Sequence, residues 1–98
     1  MANLTVKLNQ TEEWTCAGTS DVLICSDLSR PLRTGVQCET DFDMHTSTVT
    51  VTLVSGIEKD VTVAEADKNC ALIGKDFQMA AISITGVAAG TYTVRFSM

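Results

Sequence analysis

Glu39, Asp41, Asp43 and His45 form the densest run of chemically capable side chains in the sequence. At the two-residue period of a strand all four fall on one face, a row of carboxylates ending in an imidazole. Calcium takes six to eight oxygen ligands, so such a row with loop carbonyls is a candidate cation holder. Successive same-face residues on a strand lie ~6.6 Å apart, however, which is too far for one ion to bridge easily. The simpler expectation is an acidic outer face that blocks wrong strand pairing or meets a basic partner. A second candidate is the turn around Pro31, the only proline. Arg30 and Arg33 flank it beside Leu32, and two guanidinium groups on a protruding loop can clamp a partner's carboxylates or simply stay solvated.

Catalytic patterns are missing from the rest. His45 is the single histidine, and none of the serines stands in a G-x-S-x-G elbow. Glu12-Glu13 and Asp41/Asp43 supply paired carboxylates, but a glycosidase also needs an aromatic-lined sugar cleft. With one Trp, one Tyr and three Phe, most on apolar faces, little is left to line one. There is no P-loop and no G-x-G-x-x-G. The expectation is a non-enzymatic protein with no cofactor and no metal, and partner-binding residues Arg30, Leu32, Arg33, Glu39, Asp41, Asp43 and His45.

Cys16, Cys25, Cys38 and Cys70 contain no CxxC, which removes zinc-ribbon and thioredoxin-like readings. Their apolar and β-branched neighbours suit small buried hydrophobes carrying thiols; structural disulfides are the alternative. Met-Ala-Asn-Leu-Thr-Val lacks a basic region followed by an apolar run, so folding in the cytosol is expected. The sequons at Asn3 and Asn9 carry no weight without secretion.

The elements that must carry these residues follow a period of two. Leu4, Val6 and Leu8 alternate with Thr5 and Lys7, and Trp14 and Cys16 share a face. Val22 to Cys25 is a continuous apolar run, the mark of a strand covered on both sides. Val36, Cys38, Thr40, Phe42 and Met44 point one way in a strand running on to His45, and Thr46 to Val54 makes the clearest strand. Ser55-Gly56 and Glu58-Lys59-Asp60 supply turn chemistry before a strand at Val61 to Val63. Ala64 to Asn69 offers at most a helical turn. Cys70 to Ile73, Phe77 to Ile84 with a bulge at Ala81-Ile82, and Thr91 to Ser97 complete the chain.

Composition agrees. Fourteen Thr, ten Val and five Ile among 98 residues favour strands. The length suits one domain over residues 1–98 and a single core. About eight short strands without a crossover helix predict an all-β, largely antiparallel β-sandwich, jelly-roll or immunoglobulin-like. A net charge of −5 is opposite in sign to a nucleic-acid footprint, and no apolar run reaches membrane-spanning length.

Two segments carry resemblances. Asn3 to Cys16, followed by Val22-Leu23-Ile24-Cys25, resembles the opening of small all-β virion structural proteins of tailed bacteriophages. That resemblance implies a head decoration (cement) or fibre protein, made in the host cytoplasm and located in the virion. It also implies capsid or other virion proteins as partners and a homo-oligomer, commonly a trimer. Ala89-Gly90-Thr91-Tyr92-Thr93-Val94-Arg95-Phe96 is similar to the last strand of bacterial immunoglobulin-like modules, which implies the alternative of a fibre, adhesin or immunoglobulin-like module binding carbohydrate or protein. A sugar-binding sandwich would require an exposed aromatic, for which Trp14 is the one plausible residue.

Overall fold

The computed structural model describes residues 3–26, 28 and 34–98. The partner-binding candidates Arg30, Leu32 and Arg33 lie outside the described residues. The described residues form nine strands: β1 (Leu4–Val6), β2 (Gln10–Cys16), β3 (Leu23–Cys25), β4 (Val36–Thr40), β5 (Thr48–Leu53), β6 (Glu58–Val61), β7 (Cys70–Ile73), β8 (Met79–Thr85) and β9 (Gly90–Ser97). One 3-10 turn, Glu65–Asp67, occupies the expected helical stretch.

The strands make two sheets, ordered β1-β3-β8-β5-β6 and β2-β9-β4-β7. All pairs are antiparallel except β1 with β3. That parallel pair needs no helix, because β2 acts as the crossover: the chain leaves one sheet, crosses to the other, and returns. The two sheets bury one core between them. Val6, Leu23, Cys25, Val49, Val51, Ile82 and Ile84 face in from the first, and Trp14, Cys16, Val36, Cys38, Ile73, Val94 and Phe96 from the second. Alternation on each strand is what lets both faces be built from one chain. The chain is therefore an all-β sandwich.

Several boundaries differ from the sequence reading. β2 begins at Gln10, well before Trp14, because β9 pairs with it along its whole length, from Gln10↔Phe96 to Cys16↔Gly90. β6 includes Glu58, Lys59 and Asp60, which look like turn residues, since an edge strand tolerates charge and is protected by it. The bulge falls one position early, at Ala80: Thr52 pairs with Ala81 but Leu53 pairs with Met79. Ile24 is only half-buried, so β3 is not covered on both sides.

The largest correction concerns β4. It ends at Thr40, and residues 41–47 form bends and a turn. Thr40 Oγ1 donates to the Phe42 carbonyl at 2.8 Å, and Asn69 Nδ2 donates to the carbonyls of Thr40 and Phe42 at 3.1 Å each. These bonds pull the backbone out of the sheet. Burial still alternates through the turn, so Phe42 and Met44 enter the core as the pattern predicts, without being in a strand. The acids do not form one strand-borne row.

Candidate functional site

Glu39 is the only one of the four acidic-run candidates that sits in β4. It is exposed on the outer face of the four-stranded sheet, directly opposite Arg95 of β9. Despite that register the Arg95 guanidinium turns the other way, and its Nη1 donates to Thr11 Oγ1 of β2 at 3.0 Å. Glu39 and Arg95 thus stand across a gap on the sheet surface. With Thr11, Thr40, Asp41, Asn69, Thr93 and Val94 they line a shallow, open depression of about 320 Å³.

Asp41 lies next, just past the end of β4. Its Oδ2 accepts the Thr93 backbone N–H at 2.9 Å. In the register Glu39↔Arg95, Thr40↔Val94, the next place opposite Thr93 belongs to residue 41. The carboxylate therefore supplies the acceptor that the departing backbone no longer offers. Asp43 Oδ1 accepts the His45 backbone N–H at 2.8 Å, a local Asx-type bond that shapes the turn. His45 Nδ1 lies 2.7 Å from the Val63 carbonyl oxygen and ties the turn to the segment after β6. Thr46 and Ser47 hydroxyls close back on the carbonyls of Asp43 and Met44.

Three of the four candidates from the acidic run are thus held by backbone groups. Asp41, Asp43 and His45 do turn-building work, and the four side chains are not collected around one point. Among the described residues no three His, Cys, Asp or Glu side chains come together as a possible metal site. Asp41 and Asp43 border a second depression with Phe42, Thr46 and Tyr92, so Asp41 forms a ridge between two shallow basins. What the outer surface presents here is an acidic ridge beside one guanidinium. Arg95 and Thr11 were not legible as site residues in the sequence: alternation turns them outward, but only the register sets them beside Glu39.

Phe42 and Tyr92, on the border of the second depression, belong to an aromatic cluster centred on Trp14. Trp14 is 2% exposed and packs against Phe42 and Tyr92, with centroids 5.9 and 6.4 Å away. Phe42 and Tyr92 meet edge-on at 5.4 Å. Trp14 is therefore a core anchor joining β2, β9 and the turn after β4, and it is not available to stack on a sugar.

All four cysteines are thiols. Cys16, Cys25 and Cys38 are buried, as their neighbours predict, but Cys70 is exposed on β7, where its sulfur accepts from Gln37 Nε2 at 2.7 Å. Burial pushes the Cys38 thiol far above its ordinary range; nearby Cys25, Cys70 and Glu39 push the same way. A thiol held neutral like this is no nucleophile. No helix among the described residues is long and apolar enough to cross a membrane. Comparison with protein-family models, with curated proteins and with solved structures gives no match for this chain.

Proposed function

We propose that this chain is a non-enzymatic structural protein of a bacteriophage virion, acting as a capsid decoration protein that stabilises the shell by binding across its subunits. The observation that carries the reading is the surface of the described residues: the depressions beside Asp41 are shallow and open, and Thr11, Glu39 and Arg95 lie on the outer face of a sheet. A partner of matching shape uses such faces better than a small substrate does. The resemblance of Asn3 to Cys16 and Val22 to Cys25 to tailed-phage virion proteins supports the same reading.

Binding would be distributed. Each copy contributes a modest contact, and symmetry multiplies it across the shell. The acidic ridge of Glu39 and Asp41 suits a basic patch on a capsid subunit, and the net charge of −5 disfavours packaged DNA. The Pro31 loop, with Arg30, Leu32 and Arg33, is the second proposed contact.

The test is to look for the chain in purified virion fractions and to measure its native mass alongside. Association with heads, weakened by added salt, is the expected result. Recovery with tail or fibre fractions would move the assignment to a fibre protein. A monomer absent from particles would overturn it.

A further inference from the structure

Among the described residues the two sheets end in four edge strands, β1 and β6 on one, β2 and β7 on the other. Three are guarded in the usual ways. β6 carries Glu58, Lys59 and Asp60; β2 carries Glu12 and Glu13; β1 is three residues long and runs into Lys7. β7 is different. Its sequence, Cys70-Ala71-Leu72-Ile73, has no charge, and among the described residues it pairs with β4 on one side only.

The direction of its free backbone groups follows from the register. Thr40 N–H donates to the Asn69 carbonyl at 3.0 Å, so Thr40 and Asn69 belong to the hydrogen-bonding class of this ladder. Bonding alternates along an antiparallel pair. Ala71 and Ile73 therefore turn their N–H and C=O groups towards β4, while Cys70 and Leu72 turn theirs outward to the open edge. Both side chains are exposed on the sheet's outer face, and Leu72 is 54% exposed, one of few large apolar side chains so placed.

We propose that the β7 edge pairs antiparallel with the β7 edge of a second copy of this chain, about a two-fold axis at Ala71. In that register Cys70 of each copy exchanges backbone hydrogen bonds with Leu72 of the other, and Ala71 faces Ala71. The apolar Leu72 side chain covers Cys70 across the axis on both halves. Charge selects this direction. Antiparallel pairing brings the flank before β7, with exposed Glu65, Asp67 and Lys68, beside the other copy's flank after it, with exposed Lys75 and Asp76, and the two-fold at Ala71 sets Asp67 opposite Lys75. Parallel pairing would set like charges together, Asp67 against Asp67 and Lys75 against Lys75. Ala71 helps sterically, since its small side chain lets the two strands approach at the axis. The edge is the same whether or not the chain belongs to a virion, so this inference stands apart from the proposal above.

The contact is small compared with the roughly 800 Å² per partner of a stable interface, so the dimer is weak and concentration-dependent. The test is sedimentation across a wide concentration range, joined to amide hydrogen exchange. A monomer–dimer equilibrium is expected, with the amides of Cys70 and Leu72 gaining protection as concentration rises. The amides of Ala71 and Ile73 should be protected throughout. Leu72→Lys, at an exposed position, should weaken dimerisation by about tenfold or more. Ile57→Lys, at a site 64% exposed in the β5–β6 turn, should leave it unchanged. A chain that stays monomeric overturns the proposal, including the case where another protein's strand fills the edge. A trimer, or a dimer indifferent to Leu72→Lys, overturns it as well.

Discussion

The Asp41 carboxylate stands in for backbone: its Oδ2 accepts the Thr93 N–H at 2.9 Å, at the ladder place that β4 vacates when it turns away after Thr40. One of the acids expected to bind a partner is therefore partly a structural one. Glu39, two residues earlier and exposed, has no such duty and is the freer contact for a basic partner.

Substitution should separate the two. Asp41→Ala leaves the Thr93 N–H without its acceptor, and the expected loss is about 0.5–1.5 kcal/mol of unfolding free energy. Glu39→Ala should change stability by less than about 0.5 kcal/mol. Paired urea melts check the order, and equal effects would contradict the assigned roles.

Alkaline pH should weaken the fold through Cys38. Its thiol titrates near 9.0 ordinarily, but burial keeps it protonated in the native state well above that. Above that ordinary value the unfolded chain loses a proton that the folded chain keeps, so stability present at lower pH drains away as pH rises. The slope approaches about 1.4 kcal/mol per pH unit from this group. Urea midpoints from pH 7 to 10 measure it, and Cys38→Ala should flatten the decline.

Gly74 should not tolerate a side chain. It closes β7 at a positive φ of 68°, and a Cβ there would run into the Met79 side chain. Both the left-handed backbone and the collision act against Gly74→Ala, with an expected cost of about 1–3 kcal/mol. Gly18→Ala, with nothing within 4 Å of the added carbon, is the matched control.

Trp14 fluorescence should be quenched only weakly by acrylamide, because the indole is 2% exposed among Phe42 and Tyr92. Trp14→Ala should cost about 3–5 kcal/mol, the usual penalty for emptying a large core site. Strong quenching would return the sugar-binding reading to consideration.

Much of the core was legible because burial in a sandwich follows a period of two. Val36, Cys38, Thr40, Phe42 and Met44 all face inward as alternation predicts, even where the last two leave the strand. The face of each residue is a local property, and the sequence alone determined it, together with the all-β class, the β5–β6 hairpin and the helical turn before β7. Tertiary structure decided what depends on non-local pairing. The register of β9 against β2 and β4 put Arg95 between Thr11 and Glu39, extended β2 back to Gln10, and turned Asp41 into an acceptor for Thr93. Which strand lies at an edge is likewise invisible in a period: Cys70 reads as buried among apolar neighbours, yet β7 is outermost and its outer face meets water. Alternation encodes in or out, whereas neighbours and edges arise only when distant segments choose their partners.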